Sequence, residues 1–167
     1  MVVSSHRTHK GRKPRGRSDS ELARNRKAYH DYEIKETYET GICLVGTEIK
    51  SLRQNGASLQ EAYVKILKGE LWLIGCSIAP YSHGNVYNHE ERRDRKLLMH
   101  KKEIQLLRKQ IDQKLMTVVP LAIYLKKGRA KVKIGLARGK QSHDKRQAIR
   151  ERDDRRRIDR AIKGRTG

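Results

Sequence analysis

The side chains of this chain able to do chemistry are seven histidines, two cysteines, one tryptophan, seven tyrosines and a short glycine-lysine run. His6 lies near His9, and His83 near His89, but no carboxylate pair accompanies either to complete a metal or acid-base set. Cys43 and Cys76 stand on separate segments without a CxxC, so their spacing supports neither zinc nor a redox pair. We read both as buried thiols of a reducing compartment. Gly135-Leu136-Ala137-Arg138-Gly139-Lys140 has the outline of a phosphate loop. Its glycines stand one residue too close, however, and Gln141 replaces the hydroxyl that would hold a metal. His143-Asp144-Lys145-Arg146 contains nuclease-type residues in a segment too poor in apolar residues to hold a rigid catalytic shell. The expectation is a protein with no catalytic residues, no metal and no cofactor.

Positive charge remains. Forty Lys plus Arg against nineteen Asp plus Glu give +21 and an isoelectric point near 10.3, which calls for a polyanionic partner. Residues 1–29 hold nine basic and two acidic side chains, and residues 139–167 hold eleven and five. The ends are therefore more cationic than the middle. Two inner runs, Arg92-Arg93-Asp94-Arg95-Lys96 and Lys126-Lys127-Gly128-Arg129, extend the same surface on this reading. No stretch has the roughly 18 apolar residues of a membrane span, and no apolar signal core opens the chain, so we expect a soluble cytoplasmic protein.

These cations need elements to position them. Up to about Ser20 the chain is too polar to bury a core, so disorder is expected there. From Tyr32 a strand is expected to run past Gly41 to Val45, followed by a short helix over Thr47 to Leu52 that ends at Asn55-Gly56. Residues 62–67 and 70–76 read as a hairpin across Lys68-Gly69, and Tyr81 to Asp94 as a long exposed loop. Ile104, Leu107 and Ile111 recur at helical spacing in 101–114. Two more strands, 117–125 and 130–137, are joined by the cationic Lys126-to-Arg129 tip. Alternation puts Trp72 on a face with Glu70 and Ile74, and we read it as core packing rather than a stacking platform.

Many short strands with few helices predict a mainly β fold, an OB-fold-like closed β-barrel with packed helices. A disordered basic arm over 1–22, a barrel over 23–138 and a basic tail over 139–167 complete the expected organisation. The tail holds good helix formers with sparse Ile anchors, as do arginine-rich segments that fold on RNA.

Several blocks are distinctive in order and spacing: Asn25-Arg26-Lys27-Ala28-Tyr29-His30-Asp31-Tyr32-Glu33-Ile34, Tyr38-Glu39-Thr40-Gly41-Ile42, Gly46-Thr47-Glu48-Ile49-Lys50-Ser51-Leu52-Arg53 and Lys131 to Lys140 with His143-Asp144-Lys145-Arg146. From about residue 25 to 163 the chain resembles the SsrA-binding protein family. The resemblance implies trans-translation, a non-enzymatic rescue of stalled ribosomes. In it the barrel grips the tRNA-like domain of transfer-messenger RNA, and the alanyl-charged complex enters an empty A site with elongation factor Tu. It further implies RNA contacts at Asn25, His30, Glu39, Leu98 and His100. Gly139, Lys140, His143, Asp144, Lys145 and Arg146 would occupy the decoding centre of the small subunit, the tail helix then lying in the vacant mRNA channel. A monomer is expected. The chain departs from the family in its longer, more basic N-terminal arm and in Asp154, where an aromatic is frequent.

Two rival readings are a ribosomal protein or general RNA chaperone, which would discriminate weakly among RNAs, and a nuclease or RNA modifier, which would need a ligand set the sequence lacks.

Overall fold

A computed structural model describes residues 20–141. Its strands are β1 (Ser20–Arg24), β2 (Tyr32–Ile42), β3 (Tyr63–Leu67), β4 (Glu70–Ile74), β5 (Arg95–Leu98), β6 (Thr117–Lys126) and β7 (Arg129–Gly139). Its helices are α1 (Arg26–Asp31), α2 (Gly46–Asn55) and α3 (Lys101–Lys114), with one 3-10 turn at Asn85–Tyr87. The expected mainly β chain with short helices is what forms. Both hairpin turns are Lys-Gly pairs with positive φ, Lys68-Gly69 and Lys127-Gly128, the left-handed geometry that matches strand twist in a two-residue turn. Gly56, also at positive φ, ends α2.

The strands form one antiparallel sheet in the order β1-β6-β7-β2-β5-β4-β3. It curls so that Leu71, Leu73, Leu97, Val132, Ile134 and Ile123 share a core with Leu52 of α2 and Ile104 and Leu107 of α3. The expected closed barrel is not what the hydrogen bonds make. β1 pairs with β6 from Ala122 to Leu125 and forms one end of the sheet. β3 approaches the start of β6, where Val64, Ile66, Thr117 and Val118 line a groove with Arg108 and Ile111 of α3, but no ladder joins them.

Two elements have weak sequence signals. β1 takes in residues 20–22, which composition groups with the arm, and its Ser-Glu-Leu-Ala-Arg is held by pairing with β6. α1 is six residues long, too short to display a period. It lies on the outer face of the sheet, where Ala28 packs with Val119, Leu121 and Ala137. There Leu121 and Ile34 close over Gly135, whose added Cβ would meet them at 3.0 and 3.1 Å. One end of that outer face is thus covered and the other is open.

Candidate nucleic-acid interface

Glu39 stands at the open end. It lies on β2, paired with Lys133 of β7 on one side, two residues before Gly41, where the β5 ladder begins. Thr40 beside it faces the core, and period-2 alternation turns Glu39 outward. There Tyr124 Oη donates to Glu39 Oε2 at 2.5 Å and Lys126 Nζ at 2.8 Å, both reaching across β7 from β6. Lys131 Nζ lies 3.8 Å from the other carboxylate oxygen, and Lys133 is the cross-strand partner. The hydrogen bond from Lys126, and then that from Tyr124, holds the Glu39 carboxyl below its ordinary range. The result is a fixed carboxylate inside a ring of cations, all at the surface.

Leu98 belongs to the same region. It pairs with Gly41, and its side chain lies over that glycine: a Cβ on Gly41 would sit 3.1 Å from Leu98 Cβ. Half of Leu98 stays exposed. Beside it Leu44, Ile49 and Ala130 form the floor of a groove with Arg129 and Lys131 on the rim. Arg53 Nη2 donates to the Gly128 carbonyl at 3.1 Å and so ties the hairpin tip to α2. His100 follows two residues after Leu98, exposed, at the N-cap of α3, where Glu103 accepts from its backbone N–H. An apolar contact, a hydrogen-bonding carboxylate and ammonium groups together suit base edges and phosphates.

The other residues singled out in the sequence lie elsewhere. His30 is on α1, its Nδ1 2.9 Å from Asp31 Oδ1. Lys140 joins it: its N–H donates to the Asp31 carbonyl at 2.9 Å and its Nζ to that of Tyr29 at 3.3 Å, just past Gly139, the last residue of β7. This group sits by Tyr32, seven residues along β2 from Glu39, roughly 23 Å away at strand rise. The structure thus separates the expected RNA contacts into two regions. Asn25 is buried and committed: its Nδ2 donates to the carbonyls of Leu59 and Pro120, each at 3.1 Å, and its Oδ1 caps α1 through Ala28 N–H. It positions α1, and hence His30. His143, Asp144, Lys145 and Arg146 lie outside the described residues, as do 1–19 of the expected arm (1–22) and 142–167 of the expected tail (139–167).

Two readings of charge and aromaticity are corrected. Arg95, in the run expected to extend the polyanion-binding surface, is fully buried and donates to Glu48 and to the carbonyls of Cys76, Arg93 and Glu91. Its neighbours are also paired: Arg93 with Glu48 at 2.6 Å, Arg92 with Glu61 at 3.0 Å, and Lys96 with Glu70. Trp72 is half-buried on the outer face between Lys65 and Lys96, not in the core, because Leu71 and Leu73 on either side take the inward positions. Of the two thiols, Cys76 is buried and pushed up to about 11, whereas Cys43 is exposed, against expectation.

Tyr124 and Lys131 are site residues that the sequence reading did not single out. Their signal was present: Tyr124 and Lys126 share one strand face, and the Lys-Gly turn brings Lys131 opposite Tyr124. Among the described residues no group of three His, Cys, Asp or Glu could hold a metal, and no helix is long and apolar enough to cross a membrane.

A curled antiparallel sheet that sets a fixed carboxylate among lysines on its outer face is the construction of an RNA-binding protein of the β-sheet class. Comparison with known proteins makes this specific. The family model described as SmpB protein matches residues 22–164, and the chain belongs to that family. It is 60% identical over 86% of its length to an SsrA-binding protein of Protochlamydia amoebophila (94% of that protein), and 56% identical over 87% to one of Chlamydia muridarum (97%). A solved chain from "tmRNA-SmpB: a journey to the center of the bacterial ribosome" matches with TM-score 0.60 and 48% identity over 76% of this chain and 93% of that one.

Proposed function

We propose that this chain binds the tRNA-like domain of transfer-messenger RNA and brings it to stalled ribosomes for trans-translation, acting by binding alone. The observation that carries the reading is the cluster of Glu39, Tyr124, Lys126, Lys131 and Leu98, an exposed patch of fixed geometry in a chain of this family. The curled sheet serves as an OB-type platform, with residues 1–22 as an arm, 23–138 as the core and 139–167 as a tail. Elongation factor Tu is engaged only through the alanyl-charged RNA, and a single copy carries the RNA.

His30 and Lys140 form the second region, where β7 hands the chain to the tail. Lys140 is fixed to α1 by its backbone and its ammonium, which gives the tail a defined point of departure. On this reading Gly139 and Lys140, with His143 to Arg146 beyond them, enter the decoding centre. The rest of the tail follows the mRNA channel only when no mRNA fills it, its cations paired with ribosomal RNA phosphates.

The test is binding to the tRNA-like domain, to an elongator tRNA and to an unrelated hairpin at about 150 mM salt, where non-specific attraction is screened. A strong preference for the first is expected, while equal binding to all three returns the protein to the general RNA chaperones. A chain ending at Gly139 should keep that preference and lose peptide tagging on stalled ribosomes. Normal tagging by the shortened chain would remove the tail's role.

A further inference from the structure

Trp72 is the single tryptophan of the chain, and the fold turns it away from the core. Leu71 and Leu73 on either side are fully buried, so period-2 alternation sends the indole to the outer face of β4. Lys65 of β3 stands opposite it on one side and Lys96 of β5 on the other. The two lysines bracket the indole at one strand spacing each, roughly 5 Å. Lys96 is paired with Glu70, whereas Lys65 is exposed and has no ion pair among the described residues. This strip is continuous with the Glu39 patch. Arg95 and Leu97 face the core, so Lys96 shares the outer face with Leu98, roughly 7 Å farther along β5. Leu98 in turn lies over Gly41, two residues from Glu39.

We infer that Trp72 is a base-stacking contact: an unpaired base of the RNA held at the Glu39 patch lies on its indole, and Lys65 takes a flanking phosphate. The inference rests on the proposed function and adds to it a subsite on β3 and β4, beyond the cluster that carries that reading. An aromatic plane with an unpaired ammonium group one strand away is the combination that single-stranded nucleic acid uses, the ring for the base and the cation for the backbone. Every base has a π-face, so the contact selects for an unpaired base and not for its identity. A base within a paired stack has its faces covered and cannot enter; one splayed from a loop can.

Because the tryptophan is unique, its emission reports the contact without a label. Titrating the full chain with the tRNA-like domain should quench that emission with the midpoint of binding and shield it from acrylamide. A long, fully paired RNA duplex, bound to the same extent, should do neither. Trp72→Ala should weaken binding of the tRNA-like domain roughly fivefold to a hundredfold, and Trp72→Phe by less than about threefold. Lys65→Gln should make the slope of log affinity against log salt shallower by about 0.7–0.9, one phosphate contact. The emission needs no variant, so failure of the alanine chain to fold leaves the test in place. Unchanged emission at saturating tRNA-like domain would overturn the inference, as would equal quenching by the duplex or a folded alanine chain that binds like the unaltered one. Failure of the underlying function looks different: the unaltered chain would bind the tRNA-like domain, elongator tRNA and an unrelated hairpin equally, whether or not its emission falls.

Discussion

Glu48 and Glu39 have the same chemistry and opposite employment. Each faces two basic side chains. Glu48, in the first turn of α2, is fully buried and bonded to Arg95 at 2.9 Å and to Arg93 at 2.6 Å, and it caps its own helix through Val45 N–H. Arg95 is equally buried, and its remaining donors satisfy carbonyls of the long loop that precedes β5. Glu39 is about one-third exposed, and its partners Lys126 and Lys131 have more than a quarter of their side chains in water. The buried cluster cannot release a partner without stranding a charge, and so it serves the fold. The exposed cluster can exchange its cations for phosphates at little cost to the fold, and so it serves binding.

The sharpest way to break this contrast is Glu48→Ala. It strands Arg95 without an anion in the core and should cost about 3–5 kcal/mol of unfolding free energy by chemical denaturation. A loss below about 1 kcal/mol would show that Arg95 finds another partner. Next is Glu39→Arg, expected to weaken binding of the tRNA-like domain roughly tenfold to a hundredfold, with stability changed by less than about 0.5 kcal/mol. A large loss of stability there would move Glu39 into the structural class with Glu48.

Acid distinguishes the two carboxylates further. Burial alone would raise the Glu48 carboxyl, but the hydrogen bonds from Arg93 and Val45 N–H and the charges of Arg95 and Arg93 outweigh it, so it titrates below its ordinary value of 4.5. As pH falls the unfolded chain takes up the proton first. Its contribution is therefore complete above that ordinary value and declines as pH drops toward the folded titration. Unfolding curves between about pH 5 and 3 should show this decline, flattened by Glu48→Gln; Glu39, held low in the same direction but at the surface where solvent screens it, adds a smaller part that Glu39→Gln removes. The smallest effect is expected at the hairpin tip. Lys127→Gln should shallow the salt slope of RNA binding by about 1 or less, equally for all RNAs, whereas an RNA-dependent change would make Lys127 a specificity contact.

Much of the fold is legible along the chain. The 101–114 helix has its apolar stripe, and the two Lys-Gly turns have hydrophobic strands on either side, so these elements form where local pattern puts them. β1 and α1 are different. Ser-Glu-Leu-Ala-Arg is a strand because β6 offers an edge, and Arg26 to Asp31 a helix because Asn25, held by Leu59 and Pro120, caps it. Trp72 and Arg95 mislead for a related reason, since burial depends on which face the sheet turns inward and on what lies opposite.

By itself, the sequence determined that this is a strongly cationic β protein and, through its distinctive blocks, which family it resembles. Charge, periodicity and short motifs are local properties, written in consecutive residues. Only the tertiary structure decided that Glu39, Tyr124, Lys126, Lys131 and Leu98 form one patch, that His30 and Lys140 form another at the far end of β2, and that Asn25 is spent on capping. It also decided that the sheet stays open: β1 pairs with Ala122 to Leu125 of β6, and β3 comes beside Thr117 and Val118 without forming a ladder. These outcomes depend on strand register and on competition for edges between residues up to about a hundred positions apart, and no local pattern encodes which pairing wins.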